Sequence, residues 1–258
     1  MELNKIYNID CVEGMRQLAD GSIDLTVTSP PYGELRKYTG FTWDYKVVAE
    51  ELFRITKDGG VVVWIVSDQT KNGTESGLSF EQALYFKNVC GFRLYDTMIW
   101  DKASPQAPTE SRYYDVFEYM FVFSKGKPKT LNLLEDRKNK STGTKSKVEI
   151  RSSREGRRRK DQIRIVKDYG RRFNIWQISR GWNKTEHPAV FPEQLAKDHI
   201  LSWSNPGDIV LDPFTGSGTT PKMAMLNGRN YIGFEISKEY TDMACERIDE
   251  AKRSMKKR

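Results

Sequence analysis

Short apolar runs alternate with helix-length segments on both sides of a long basic stretch, and this alternation restricts the fold more than any other feature. Strands are predicted over residues 5–11, 23–28, 61–67, 92–100 and 117–123 of the first block, and over 208–212 and 230–235 of the second. Helices are predicted over 12–19, 47–56 and 80–89, then over 221–226 and from 239 to about 252. Such alternation is typical of an α/β fold whose mostly parallel sheet is covered on both faces.

The basic stretch accounts for the positive charge of the chain. Residues 125–172 contain 18 Lys and Arg against 6 Asp and Glu, whereas all 258 residues together have a formal net charge of +7. Within this stretch, residues 132–159 are poor in apolar side chains, so we expect them to be mobile until a polyanion binds. A solvated loop or a localisation signal is the plainer interpretation, but a long insertion in a compact chain favours contact with a phosphate backbone.

Cysteine, histidine and hydropathy patterns argue against several classes of protein. The 3 cysteines and 2 histidines stand in no metal-ligand spacing, so we expect neither a disulfide framework nor a metal site. No apolar run approaches the ~20 residues of a membrane span, and the N-terminus lacks a secretory signal. The sequence therefore predicts a cytoplasmic protein without a membrane partner.

A glycine-rich turn follows the predicted strand 208–212 and opens a helix. Gly216 and Gly218 let the backbone turn sharply and approach a ligand, and Thr219 or Thr220 is placed to cap the helix. The free N–H groups at such a helix start suit an anionic ligand group. Glu235 ends the next predicted strand, where a carboxylate can accept from ribose hydroxyls. An ordinary strand–helix turn is the alternative; if a nucleotide-like ligand binds, NAD and S-adenosylmethionine both fit.

A second motif, Thr28-Ser-Pro-Pro-Tyr32, follows the predicted strand 23–28. Two consecutive prolines remove two N–H donors and fix φ, so the corner is rigid and presents acceptors: the Ser29 hydroxyl and the neighbouring carbonyls. Tyr32 adds an aromatic face. Acceptors beside a ring can hold an aromatic amine by its two N–H bonds, as for a nucleobase removed from its helix, although a Pro-Pro turn with a packed tyrosine is equally compatible.

Together, the motifs 28–32 and 212–219 strongly resemble those of DNA methyltransferases that modify the exocyclic amino groups of cytosine or adenine. The catalytic motif comes first, the basic segment second and the cofactor glycines last, which resembles the permuted beta arrangement of that family. Further similar pieces lie at 8–11, 100–102 and 187–192. The resemblance implies a Rossmann-like methyltransferase fold, with a catalytic part at 1–124, a basic target-recognition insertion at 125–175 and a cofactor-binding part at 176–258.

The resemblance also implies a cofactor, S-adenosylmethionine, and the residues that bind it. The methionine part would lie against the glycine turn, Glu235 would hold the ribose, and Asp10 would accept from the adenine amino group. The full set of implied cofactor-binding residues is Asp10, His187, Phe191, Asp212, Phe214, Gly216, Gly218, Thr219 and Glu235. No metal is implied.

For catalysis, the resemblance implies direct methyl transfer to an exocyclic amino nitrogen of a flipped-out base in double-stranded DNA. Ser29 and the Pro30 carbonyl would accept the two N–H bonds of the amine, Pro31 would stiffen the corner, and Tyr32 would stack on the base. A serine at the first motif position mostly accompanies cytosine-N4 methylation in this family, so cytosine is favoured, with adenine-N6 as the alternative. The residues expected to contact DNA are Arg157, Arg158, Arg159, Lys160, Arg171 and Arg172.

Three other functions remain open from the sequence. A nicotinamide oxidoreductase would share the glycines and Glu235, but it has no use for the Ser29–Tyr32 corner or a basic insertion. A nucleic-acid-binding protein without catalysis, and an RNA methyltransferase, are the other two. A homodimer is one assembly compatible with the sequence, and a bacterial, archaeal or phage origin is expected.

Overall fold

The computed structural model describes residues 1–31, 43–103, 112–148, 162–179 and 192–256. The helices are α1 (Cys11–Arg16), α2 (Tyr45–Ile55), α3 (Leu78–Asn88), α4 (Glu193–Trp203), α5 (Thr219–Leu226) and α6 (Lys238–Lys256). The strands are β1 (Lys5–Asn8), β2 (Ile23–Thr28), β3 (Thr56–Val66), β4 (Thr70–Lys71), β5 (Thr74–Glu75), β6 (Arg93–Asp101), β7 (Phe117–Ser124), β8 (Arg137–Lys138), β9 (Lys145–Val148), β10 (Gln162–Ile165), β11 (Tyr169–Gly170), β12 (Ile175–Gln177), β13 (Ile209–Asp212) and β14 (Asn230–Glu235).

An 8-stranded sheet in the order β1-β14-β13-β2-β3-β7-β6-β12 forms the centre of the fold. All neighbouring pairs from β1 to β3 are parallel, and β12 is parallel to β6. Only β7 runs against the others, since it pairs antiparallel with both β3 and β6. The prediction of an α/β fold with a mostly parallel sheet is confirmed.

Helices cover both faces of this sheet. Alternate residues of β3 divide between the two cores: Val62 and Trp64 pack with residues of α1, α2 and α3. Val61 and Val63 pack with residues of α4, α5 and α6 on the other side. A strand buried on both faces needs a continuous apolar run, which explains the Val-Val-Val-Trp-Ile-Val sequence of its second half.

Residues Leu133–Phe173 form a second compact unit, separate from Met1–Asn132 and Asn174–Arg258. Its described part contains two antiparallel ribbons, β9 with β10 and β8 with β11. The guanidinium of Arg137 lies 4.5 Å from the centre of the Phe173 ring. Sequence patterning predicted no strands here, because these ribbons are short and polar; residues 149–161 lie outside the described residues.

Several predicted element boundaries differ from those of the structure. The first strand ends at Asn8 rather than residue 11, because Asp10 already caps α1. Helix α4 and strand β12 were not predicted. Among the described residues, no helix is both long enough and apolar enough to cross a membrane.

A buried arginine joins the end of α4 to the start of β14. The Arg229 side chain donates from Nη2 to the Ser204 carbonyl at 2.6 Å, from Nε to the Ser204 hydroxyl at 3.0 Å, and from Nη1 to the Asn227 carbonyl at 2.6 Å. Burial lowers the pKa of Arg229, with the nearby Asp208 carboxylate opposing the shift. These bonds fix the connection from which β13 and β14 enter the sheet.

Replacing Arg229 by Met should lower the free energy of unfolding by roughly 2–4 kcal/mol, because the buried Ser204 carbonyl and the partly buried Asn227 carbonyl lose their donor. Urea unfolding followed by circular dichroism measures this change. The matched control is Arg16→Met, since Arg16 is exposed at the end of α1. Equal stability of the two variants would show that the Arg229 bonds are not required.

Candidate active site

Four neighbouring strands bring the predicted motifs to one edge of the sheet. In sheet order these strands are β1, β14, β13 and β2, all parallel, so their carboxyl ends meet on the same side. Asp10 follows β1, Glu235 ends β14, Asp212 ends β13, and Ser29 follows β2. In open α/β sheets ligands bind at this edge. Motifs separated by some 180 residues in the chain are therefore neighbours in space.

A buried hydrogen bond connects the two main motifs. The Thr28 hydroxyl donates to Asp212 Oδ1 at 2.7 Å, and both residues are buried. Beside it, the Thr220 hydroxyl donates to the Val27 carbonyl at 3.1 Å. Since Ser29 follows Thr28 directly, these bonds fix the start of the Ser-Pro-Pro corner relative to the glycine turn.

The Asp212 carboxyl is enclosed by protein. Burial raises its pKa from 3.8 to about 6, while the hydrogen bonds from the Thr28 hydroxyl and the Phe214 N–H oppose the rise, as does the nearby Thr220 hydroxyl. The negative charge of Glu235 adds to the rise in the pKa of Asp212. Asp212 therefore lies inside the edge and holds the surrounding backbone and hydroxyl groups together.

The start of α5, at the glycine turn, differs from the one predicted from the sequence. Gly218 is the residue that precedes the helix, with φ of +82° and no side-chain cap, and Thr219 and Thr220 are already helical. The prediction that one of these threonines caps the helix is therefore wrong. The left-handed conformation of Gly218 is strained for residues with a Cβ, and that atom would lie 2.8 Å from Ala244 Cβ.

Thr219 has a buried hydroxyl at the start of this helix. Among the described residues its Oγ1 has no hydrogen-bond partner. Buried polar atoms are generally paired, so a donor or acceptor from a ligand is the expected partner. The first N–H groups of α5 are oriented in the direction that suits an anionic group.

Glu235 connects β14 to the glycine turn. Its Oε2 accepts from the Gly216 N–H at 2.8 Å, and its Oε1 accepts from the Ser237 N–H at 2.8 Å. Burial raises the pKa of Glu235, and these N–H groups oppose the rise. Each carboxylate oxygen has a second lone pair, so the group can also accept from ligand hydroxyls.

Asp10 lies at the far side of the same edge. Its Oδ1 accepts from the backbone N–H of Val12 at 2.8 Å and of Glu13 at 3.1 Å, which caps α1. The side chain is half-buried. No partner of Oδ2 is present among the described residues, and this oxygen is available to accept from an amino group.

An aromatic wall stands beside the glycine turn. The Phe214 ring packs edge-on against Trp43, with ring centroids 5.1 Å apart, and lies 6.3 Å from Trp64. Within 211–220, Phe214 and Gly216 are the two residues that are not buried. The wall therefore borders the part of the turn that solvent or a ligand reaches.

At the other motif, Ser29 and Pro31 are half-buried and Pro30 is buried. Tyr32, His187, Phe191 and Arg157–Lys160 lie outside the described residues. Trp100 is buried in the core and donates to the Ile178 carbonyl at 2.8 Å, so it packs rather than lines the site.

Of the predicted DNA contacts, Arg171 and Arg172 are described, in the second unit. Arg171 is exposed. Arg172 is paired with the Asp136 carboxylate, and this pairing lowers the pKa of Asp136. No group of three or more His, Cys, Asp or Glu in the described part of the chain could hold a metal ion.

Sequence reasoning missed several residues that shape the site. Trp43 belongs to no motif, and Thr28 opens the motif 28–32 without a predicted role of its own. The position of Thr28 at the end of a buried strand, directly before the Ser-Pro-Pro corner, was the one sequence feature that could have indicated a bond to a neighbouring strand. Arg247, which contacts the glycine turn from α6, lies in a charged amphipathic helix and gave no signal.

The chain matches known proteins in sequence. A family model described as DNA methylase, for N6 and N4 methyltransferases, matches residues 23–246. The orphan methyltransferase M.BamHII of Bacillus amyloliquefaciens is 56% identical over 240 residues, covering 90% of each chain.

Solved structures agree on the fold. The cytosine-N4-specific PvuII DNA methyltransferase has a TM-score of 0.69 at 22% identity, covering 95% of this chain and 90% of its own. The M1.HpyAVI–SAM complex has a TM-score of 0.63 at 24% identity, covering 94% and 98%. With its motifs in one edge of the sheet and a family match across most of its length, the chain belongs to the N6/N4 DNA methylase family and is a DNA methyltransferase.

Proposed function

We propose that this protein transfers a methyl group from S-adenosylmethionine to the N4 amino group of a cytosine flipped out of double-stranded DNA. The observation that carries the proposal is the buried bond between Thr28 and Asp212. It holds the Ser29 corner next to the glycine turn, so an amine at the first and a cofactor at the second would be neighbours. Adenine-N6 is the alternative target.

The described residues fit the cofactor. Glu235 would accept from the ribose hydroxyls, the Asp10 carboxylate from the adenine amino group, and Thr219 would supply the hydroxyl that lacks a partner among the described residues. When bound, the sulfonium supplies an electrophilic methyl group. Asp212 keeps the turn in shape through its bonds to Thr28 and Phe214.

The amine would be held by the Ser-Pro-Pro corner. Its nitrogen is a poor nucleophile because the lone pair is delocalised into the ring. The Ser29 hydroxyl and the Pro30 carbonyl would accept its N–H bonds, localise the lone pair and stabilise the positive charge that develops on nitrogen. Holding the two reactants in contact supplies much of the remaining acceleration. Tyr32 would stack on the base, an interaction worth about 1–3 kcal/mol.

Ser29 supports cytosine over adenine. A hydroxyl is a weaker acceptor than the carboxylate or amide common in adenine-specific members, and the resemblance associates serine with cytosine-N4 transfer. The DNA substrate and bacterial relatives support a cytoplasmic location.

Incubation with mixed duplex DNA and labelled cofactor should yield N4-methylcytosine, identified by mass spectrometry of the released nucleosides. Ser29→Ala should lower kcat by roughly 10-fold to 100-fold while sparing cofactor affinity, because an acceptor of the amine is lost. Ser254→Ala, far along α6, is the matched control. If the product is N6-methyladenine, the target base is adenine rather than cytosine. Methylation of RNA alone would contradict DNA as the substrate.

Replacing Asp212 by Asn should raise the free energy of unfolding at neutral and higher pH. The folded-state pKa of about 6 lies above the ordinary 3.8, so Asp212 stabilises the fold most below 3.8, and this contribution is lost as the pH rises through 6. The full difference corresponds to about 3 kcal/mol.

Urea titrations of the Asp212→Asn protein and the unsubstituted protein, across this pH range, measure the effect. Asp58→Asn, at an exposed position in β3, is the matched control. A stability difference between Asp212→Asn and the unsubstituted protein that does not change with pH would contradict the assigned titration.

DNA would be contacted by the second unit, Leu133–Phe173. Lys138, Lys140 and Lys145 are exposed there, and Arg171 adds a further exposed charge. The β9–β10 ribbon has the two-stranded form that a major groove admits. On β10, Ile163 and Ile165 are two residues apart and therefore share a face, and they are 63% and 68% exposed. Apolar side chains of this kind suit contact with thymine methyl groups.

Changing Lys138, Lys140 and Lys145 together to Gln should weaken DNA binding and reduce its salt dependence. Each lost phosphate contact lowers the slope of log K against log salt by about 0.9. Fluorescence anisotropy with a labelled duplex at several salt concentrations measures the slope. A triple change of Lys87, Lys238 and Lys252, exposed residues of the first unit, is the matched control. An unaltered slope in the first variant would remove this surface from the DNA interface.

A further inference from the structure

Helix α6 contacts the glycine turn through an arginine that no motif contains. The Arg247 guanidinium donates from Nη1 to the Ser217 hydroxyl at 2.8 Å and also to the Ser217 carbonyl. Ser217 is buried and lies directly before Gly218, the residue that opens α5. Two donations from one nitrogen hold both the backbone and the side chain of this turn residue.

The same guanidinium is held from its other side. Its Nη2 donates to Glu193 Oε1 at 2.9 Å, and Lys222 Nζ donates to the same oxygen at 2.6 Å. Glu193 is the first residue of α4, and Lys222 belongs to α5. The cluster Arg247, Glu193 and Lys222, called here the three-helix clamp, therefore connects α4, α5 and α6 at the glycine turn.

The clamp is partly shielded from water. The side chain of Arg247 is 16% exposed, and those of Lys222 and Glu193 are 21% and 38% exposed. Ala244, one helical turn before Arg247, lies close to Gly218. A Cβ added at Gly218 would be 2.8 Å from the Cβ of Ala244. Helix α6 thus contacts two consecutive residues of the turn, one through packing and one through charge-assisted bonds.

Other residues of the turn are fixed within the turn and its neighbouring strand. The Thr215 N–H donates to the Phe234 carbonyl at 3.0 Å, and the Gly218 N–H donates to the Thr215 carbonyl at 2.9 Å. Gly216 is held by Glu235. The Ser217 carbonyl, in contrast, is held by a side chain from a different helix. Its position, and hence the direction of the following N–H groups at the start of α5, depends on Arg247.

We propose that Arg247, oriented by Glu193, is a positioning residue that sets the affinity for S-adenosylmethionine by holding the Ser217 backbone in its binding conformation. Without the clamp, only a fraction of molecules would have the turn in that conformation. The apparent dissociation constant rises in inverse proportion to this fraction. Arginine is required because one planar group must donate to Ser217 and Glu193 at once, which a lysine ammonium does less well.

The test is calorimetric titration of S-adenosylmethionine into the full chain without DNA, so the outcome does not depend on which base is methylated. Arg247→Met should raise the dissociation constant roughly 10-fold or more, the size expected for loss of hydrogen bonds from a charged group. Arg247→Lys should recover part of the affinity. The matched control, Arg253→Met, changes an exposed arginine of the same helix and should bind like the unsubstituted protein.

A second measurement separates positioning from stability. In methylation assays on DNA, Arg247→Met should raise KM for the cofactor. Its kcat at saturating cofactor should stay within about threefold of that of the unsubstituted protein, because the turn has the same conformation in both proteins once the cofactor is bound. A lowered melting temperature with unchanged cofactor affinity would overturn the proposal and leave the clamp a stabilising contact only.

Glu193→Gln keeps the proposal testable if Arg247→Met does not fold. It retains the size and one acceptor but removes the charge that orients Arg247 and Lys222. A dissociation constant for the cofactor raised several-fold supports the clamp. An unchanged value in a folded Glu193→Gln protein overturns it.

Discussion

The hydrogen bond from the Thr28 hydroxyl to the Asp212 carboxyl is the contact on which the site depends. Its two residues end adjacent parallel strands, and β13 pairs with β2 so that Leu211 lies opposite Thr26. Backbone pairing brings the motifs within reach, but it ends before either loop begins. The buried side-chain bond extends the order of the sheet beyond its last backbone pair, up to the residue before Ser29. Because it is buried, water cannot compete for either partner, and leaving the carboxyl unpaired would be costly.

The position of the site follows from how the chain buries its apolar residues. Parallel strands need helices on both faces, and each helix returns the chain to the opposite edge of the sheet. The carboxyl edge therefore collects the loops that follow β1, β2, β13 and β14. Polar groups gather there without disturbing either core. The clamp built on Arg247 extends this arrangement from the sheet to the helices, since α4, α5 and α6 meet at the same turn.

Residue patterns predicted the central sheet and most of its helices, because an apolar run such as 61–66 is typical of a buried strand. The motif positions at one edge followed from strand direction alone. What escaped prediction depends on tertiary context: α4 combines buried His199 and Trp203 with polar residues, and the ribbons of the second unit are short and polar. Gly218 rather than a threonine precedes α5, because the close approach of Ala244 selects a residue without a side chain. No local pattern reveals a contact made by a residue 26 positions away in a different helix.

The charge of this edge supports the proposed binding of S-adenosylmethionine over that of a nicotinamide dinucleotide. Three carboxyl groups, those of Asp10, Asp212 and Glu235, lie along it; burial raises the pKa of Asp212, and the Glu235 charge adds to that rise. A cofactor with a sulfonium and an ammonium group relieves this repulsion, whereas a pyrophosphate would add to it. By reciprocity, a bound cation lowers the pKa of Asp212 and favours its ionised form. The excess of basic residues is concentrated instead in the second unit, so the carboxyl groups of this edge and most of the positive charge of the chain belong to separate parts of the structure.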